Sequence, residues 1–202
     1  MSFTKPLAAA AVLMAMAVPA SALTANATTD LNLRAGPGNM YPIQGVIASS
    51  AEVDVQGCIA GSEWCKVTYN GTEGWAYSAY LTSTYESNPV VVYDNMQRLN
   101  LQEIDPVNID RNPAKTFTPS GALILGQPTS VPIVIDDNVA VQYVRANPVE
   151  PIYLEGEVVV GAGIPENVTI YPVPDTTYQY VNVNDQLVLV EPGQRRIVQV
   201  LR

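Results

Sequence analysis

The chain contains no histidine. The commonest general base and the commonest zinc ligand are therefore missing. Neither a Ser-His-Asp nor a Cys-His nucleophile can be assembled. What remains for acid–base chemistry is carboxylate. Asp136-Asp137, Glu155 with Glu157, and Glu166 are the candidates. A glycosidase needs two of them facing each other across a sugar; solvated turn carboxylates account for the same residues. No EF-hand spacing and no glycine-rich aspartate repeat offers calcium a cage. The two cysteines are too few for a Cys-only metal site. The expectation is no catalytic residue, no metal and no cofactor. Arg195-Arg196 reads as a turn cap rather than a phosphate site.

Charge narrows the partners. Ten basic and nineteen acidic residues give a net charge of −9 over 202 residues. Nucleic-acid binding rests on Lys and Arg neutralising phosphates, and docking onto an anionic membrane rests on the same charges. Both are disfavoured. Residues 1–22 read as a secretory signal: Lys5, then a twelve-residue apolar run from Leu7 to Val18, then Pro19 and the small residues Ala20-Ser21-Ala22. The run is short for a membrane-spanning helix, and an N-terminal anchor is the competing reading. Cleavage after Ala22 removes the one charged residue of the leader, Lys5, and takes the net charge to −10. The expected location is periplasmic or secreted, an oxidising compartment.

Sixteen prolines and thirteen glycines among many Val, Ile, Tyr and Thr point to short strands and turns. Asp30-Leu31-Asn32-Leu33-Arg34, Glu52-Val53-Asp54-Val55-Gln56 and Trp64-Cys65-Lys66-Val67-Thr68-Tyr69 alternate with period two. Gly45-Val46-Ile47 and Gly74-Trp75-Ala76-Tyr77 supply two more strands. Asn70-Gly71 is a hairpin turn signal, because a type I′ turn needs positive φ at both central positions. Five short strands within residues 24–82 predict a small closed barrel. Leu31, Leu33, Val53, Val55 and Val67 are its expected core. Cys58 and Cys65 flank a six-residue link containing Gly61. That places them across a hairpin, where a disulfide is geometrically allowed; two free buried thiols are the alternative.

The run Leu31-Asn32-Leu33-Arg34-Ala35-Gly36-Pro37-Gly38 with Tyr41-Pro42 resembles the opening of bacterial SH3 (SH3b) domains. Trp64-Cys65-Lys66-Val67 and Gly71-Thr72-Glu73-Gly74-Trp75-Ala76-Tyr77-Ser78-Ala79-Tyr80-Leu81 resemble that family's closing half. The Cys58 and Cys65 pair is similar to a subset of exported members. The resemblance implies an SH3-like barrel that docks onto peptidoglycan peptides or onto protein partners. It also implies that Asn32, Arg34, Tyr41, Trp75 and Tyr77 lie on or beside the groove. A guanidinium beside a flat aromatic is suited to a peptide carboxylate. The plainer reading makes Trp75 a core residue and has Asn32 and Arg34 fasten the first strand to the Gly-Pro-Gly loop.

Ser83 to Ser87 reads as a boundary, and residues 83–120 as a linker with one candidate strand at Val90-Val91-Val92-Tyr93. From Gly121 the pattern predicts a separate C-terminal β domain of short antiparallel strands, residues 121–202. Candidate strands are Ala122–Leu125, Ile133–Ile135, Val139–Val144, Ile152–Leu154, Val158–Val160, Val168–Tyr171, Tyr178–Val183, Leu187–Val190 and Ile197–Leu201. Asn184-Asp185 and Pro192-Gly193 punctuate the last three. No ten-residue stretch has helical spacing. Gln142-Tyr143-Val144-Arg145-Ala146-Asn147 parallels Gln179-Tyr180-Val181-Asn182-Val183-Asn184, which suggests either an internal repeat or chance similarity. The terminal segment from Tyr178 to Leu201 resembles domain of unknown function 1236. That family is found in exported alphaproteobacterial proteins, often after an SH3b domain, and implies no activity.

The fold class expected is thus all-β. The function expected is that of a non-enzymatic exported envelope protein. Its partners are peptidoglycan peptide or a periplasmic protein, with no nucleic acid and no membrane span in the mature chain. A carboxylate-based wall hydrolase targeted by its SH3b module is the alternative. Recruitment of a partner chain by strand-edge pairing is a third possibility.

Overall fold

The structure is a computed structural model and describes residues 22–105, 119–126 and 138–202. Nearly all of the expected leader, the strand at Ile133–Ile135 and the acidic pair Asp136-Asp137 lie outside the described residues. Nine strands form the first sheet: β1 (Leu23–Ala27), β2 (Leu31–Arg34), β3 (Ile43–Ile47), β4 (Glu52–Ile59), β5 (Trp64–Tyr69), β6 (Thr72–Tyr77), β7 (Leu81–Tyr85), β8 (Asn88–Val91) and β9 (Glu103–Ile104). Their order is β3-β2-β6-β5-β4-β1-β7-β8, with β9 paired to β4. The SH3-like arrangement is therefore an open ladder, with β3 and β8 at its two ends, rather than a closed ring. The five expected core residues are all buried.

Asn70 and Gly71 have φ of 49° and 77°, the two positive values the β5–β6 hairpin turn requires. The same device occurs where the sequence offers no signal for it. Glu86 and Ser87 have φ of 48° and 66° and join β7 to β8. The polar segment read as a boundary is therefore a hairpin. Neither residue is Gly, Asn or Asp, so the turn was not legible; left-handed backbone costs such residues on the order of 1–2 kcal/mol each. At Gly57 the ladder bulges. The Cys58 amide donates to the Gln102 carbonyl at 2.9 Å, and a Cβ on Gly57 would stand 2.6 Å from that oxygen. The missing side chain is what lets β9 lie against β4.

Cys58 and Cys65 are directly opposed across β4 and β5 and are joined by a disulfide. The candidate strand near Val90 is β8.

The second sheet has four antiparallel strands, β10 (Tyr171–Pro172), β11 (Gln179–Val183), β12 (Gln186–Glu191) and β13 (Arg196–Val200), in chain order. Both faces are apolar, as period-two alternation requires of a sheet covered twice. Val181, Val183, Val188, Val190, Ile197 and Val200 belong to one core that also contains Leu31, Leu33, Trp75 and Tyr77 of the first sheet. Tyr180, Leu189 and Val198 face the other way. A bulge at Leu189/Val190 changes the parity of β13, so that Val198 joins the second face.

That second face is covered by a helix, α1 (Asn138–Ala146), where Val139–Val144 was expected to be a strand. Ala140 and Val144, four residues apart, are both buried against Val173, Tyr180 and Leu189. Alternation in a six-residue Val-rich run fits either period. Packing of the (i, i+4) pair onto a sheet face decides for helix against β-branched propensity. The parallel between Gln142–Asn147 and Gln179–Asn184 is consequently no structural repeat: one copy lies on α1, the other on β11.

The remaining candidate strands are extended connectors held by single bridges: Ala122 with Glu155, Ile124 with Gly163, Gly163 with Arg196, and Ile152 with Val183. Val158 and Val159 are both fully buried though adjacent, which suits a connector within the joint core. Arg195 caps the distant turn at 164–168, donating to the carbonyls of Ile164, Pro165 and Val168 at 3.2, 2.8 and 2.5 Å.

Replacing Cys58 and Cys65 together with Ser should lower the unfolding free energy by about 2–3 kcal/mol, the loop-closure value for so short a ring. Urea titration of the oxidised parent and the double variant measures it; coincident midpoints would contradict it.

Candidate functional site

Of the five residues expected at a groove, two are sealed in the interior. Asn32 is 0% and Arg34 2% exposed. Both sit on β2, whose four residues are all buried, and both point at Glu157. Arg34 Nε donates to Glu157 Oε2 at 2.5 Å and Nη2 to Oε1 at 2.6 Å. This is the two-pronged guanidinium–carboxylate geometry. Asn32 Nδ2 donates to Oε1 at 2.9 Å, and the Val158 amide to the same oxygen at 2.8 Å. Arg34 Nη1 donates to the carbonyls of Asn39 and Tyr41, both at 2.9 Å. The guanidinium thus also fastens β2 to the loop that follows, as the plainer sequence reading had it.

A second set of bonds lies beside the ion pair. Asn184, on the β11–β12 turn, clasps the Leu154 peptide: its Oδ1 accepts from the Leu154 amide at 2.9 Å and its Nδ2 donates to the Leu154 carbonyl at 3.0 Å. The same carbonyl accepts from Asn39 Nδ2. Gln186 Oε1 accepts from Asn32 at 3.3 Å. Asn32 Oδ1 and Gln186 Nε2 are buried without a partner among the described residues. Asn32 and Gln186 also line a hollow of about 300 Å³ between β3 and Leu201-Arg202. Three parts of the chain therefore meet here: β2 with its loop, the connector Leu154–Val158, and the start of β12.

The other three expected residues lie elsewhere. The Tyr41 ring packs over the Gly-Pro-Gly loop, where a Cβ on Gly36 would come 2.2 Å from it. Trp75, opposite Arg34 in register, is buried in the joint core. Tyr77 is 7% exposed and lines a hollow of about 450 Å³ together with Trp64, Glu63, Leu123 and Glu155. Trp64 and Tyr77 meet edge to face, centroids 5.4 Å apart. Burial, and then the nearby charges of Glu63, raise the Tyr77 pKa well above its ordinary 10.0. A larger hollow of about 640 Å³ beside the disulfide contains none of the five.

The carboxylate candidates among the described residues differ in environment. Glu155 and Glu166 are exposed and Glu157 is 1% exposed. Gly156, at φ +92°, turns the chain between Glu155 and Glu157. Glu157 is fully engaged by Arg34, Asn32 and Val158, so it is not free for acid–base work. In the sequence Glu157 reads only as an acid. Its position between Leu154 and Val158-Val159-Val160 was the available signal, because a carboxylate in an apolar run must find a charged partner.

Residues 29–82 match the family model of the bacterial SH3 domain, and residues 143–202 match that of a domain of unknown function (DUF1236). Neither is a catalytic family. No curated protein matches the chain. No helix among the described residues is long and apolar enough to cross a membrane.

Removing one partner of the ion pair leaves a buried charge alone. Glu157→Ala and Arg34→Ala should each cost about 3–5 kcal/mol in chemical denaturation. The double change Arg34→Met with Glu157→Leu should recover most of that loss, since an apolar pair of similar volume needs no counter-charge. A double variant as unstable as the two singles summed would contradict this.

Proposed function

For a chain that carries a bacterial SH3 domain and a DUF1236 domain, we propose the role of an exported, non-enzymatic docking protein of the cell envelope. In this reading Arg34 and Asn32 are carboxylate-binding residues, and the carboxylate they bind is the chain's own Glu157. The C-terminal part thereby supports the SH3 sheet and leaves docking to the neighbouring aromatic hollow at Trp64 and Tyr77, which faces cell-wall peptide or a periplasmic partner. The observation that carries the reading is the closed ring of hydrogen bonds around Glu157 next to an open hollow at Tyr77. The leader-like residues 1–22 and the disulfide support export. Engagement by Arg34 removes Glu157 from the acids a carboxylate hydrolase could use.

Insoluble peptidoglycan sacculi should retain the mature, oxidised protein at low and at high salt, because a chain near −10 gains little from charge. Glu155→Lys, on the exposed rim of the hollow, should reduce retention without changing the unfolding midpoint. Clearing of peptidoglycan in a zymogram would overturn the non-enzymatic assignment, and absence of retention at both salts would overturn wall docking.

A further inference from the structure

The hollow at Tyr77 has a chemical character that the docking role does not specify. One wall is aromatic: Trp64 and Tyr77, centroids 5.4 Å apart and nearly perpendicular. Leu123 and Pro119 extend the apolar lining. Two carboxylates, Glu63 and Glu155, line the same space. Among the described residues neither has a cationic partner, whereas Glu157 is held by Arg34 and Glu73 by Lys66. Tyr77 is 7% exposed, its hydroxyl makes no hydrogen bond within the described residues, and that oxygen lies 3.8 Å from where a Cβ on Gly156 would stand, at the wall of the hollow. Burial first, and then the charge of Glu63, raise the Tyr77 pKa, in keeping with the shared lining. A phenolic hydroxyl without a protein partner has a lone pair to offer.

These groups share one requirement. Carboxylates, an accepting hydroxyl and the negative faces of aromatic rings all favour a positively charged hydrogen-bond donor. A hard divalent cation calls for six or more oxygen ligands, and half of this lining is carbon. A volume of about 450 Å³ admits an alkyl stem as well as its charged head.

We infer that the hollow bounded by Trp64, Tyr77, Glu63 and Glu155 binds a primary ammonium on an alkyl stem, of the kind a lysine-type side chain carries. The two acids and the Tyr77 oxygen receive the ammonium protons, and the rings pack against the stem. The inference rests on the docking role proposed above in placing the partner at this hollow. The ammonium belongs either to a wall peptide or to a protein, and the experiment separates these sources.

The test titrates the full mature, oxidised protein with Nα-acetyl-lysine methylamide and follows the indole N–H signal of Trp64 by NMR. The control ligand is the same compound acetylated on its side-chain nitrogen. The expected result is a saturable shift with the amine and binding weaker by at least ~10-fold for the neutral analogue, a difference of about 1.4 kcal/mol. The double variant Glu63→Gln with Glu155→Gln, which keeps side-chain shape, should lose a similar factor, and Tyr77→Phe should weaken binding while preserving the wall. Equal affinity for the two ligands, or undiminished binding by the double variant, overturns the site. Sacculi before and after acetylation of their free amines then locate the source. Lower retention after acetylation supports a wall amine at this site. Retention indifferent to acetylation, with the lysine probe still bound, upholds the ammonium site and assigns its ligand to a protein, which overturns wall docking alone.

Discussion

A carboxylate as buried as that of Glu157, a residue 1% exposed, loses the hydration that stabilises its charge, and nothing apolar can replace it. Glu157 meets that constraint with four hydrogen bonds, from Arg34 Nε and Nη2, Asn32 Nδ2 and the Val158 amide. Each donor has to be placed by some other part of the fold. Arg34 is fixed because its remaining nitrogen is committed to the Asn39 and Tyr41 carbonyls. Val158 follows the Leu154 peptide, which Asn39 and Asn184 both hold. The two sheets are thus joined by a polar centre inside one hydrophobic core. Such a centre is weak evidence of added stability, because desolvating both charges offsets much of their attraction. It does select one docking geometry, since any slip strands a charge.

The same five residues, 154–158, also connect that centre to the surface. Gly156 adopts a left-handed φ of +92°, so Glu157 turns inward and Glu155 outward. Across the interface, the β2–β3 loop does likewise. Asn39 bonds the Leu154 carbonyl, and Asn39 and Met40 line the hollow at Tyr77. The shape of that hollow therefore depends on the ion pair, although neither Arg34 nor Glu157 lines it.

Much of the first sheet was legible because its signals are local. Asn70-Gly71 fixes a turn, and alternation in Glu52–Gln56 and Trp64–Tyr69 fixes which side chains face inward. The parts that were not legible depend on distant partners. Glu86-Ser87 forms a hairpin turn against its local preference because β7 and β8 pair around it. Val139–Val144 is helical because the far face of the second sheet offers Val173, Tyr180 and Leu189 to an (i, i+4) pair. The resemblance groups Asn32, Arg34, Tyr41, Trp75 and Tyr77, whereas the structure distributes them, with Asn32 and Arg34 inside and Tyr77 on a hollow. Whether Arg34 faces solvent or an internal acid depends on residue 157, more than a hundred positions away. Only the oddity of a glutamate amid valines hinted at it.

If the polar centre makes the two sheets one cooperative body, they must unfold together. Both tryptophans, Trp64 and Trp75, lie on β5 and β6 of the first sheet and belong to the joint core, so their fluorescence reports on that sheet and on its packing against the second. Amide signals of β11 to β13 report on the second. Following both through one urea titration of the oxidised protein gives the most direct measurement. Coincident transitions with a single midpoint are predicted; two separated midpoints, with one sheet persisting after the other is lost, would contradict the account.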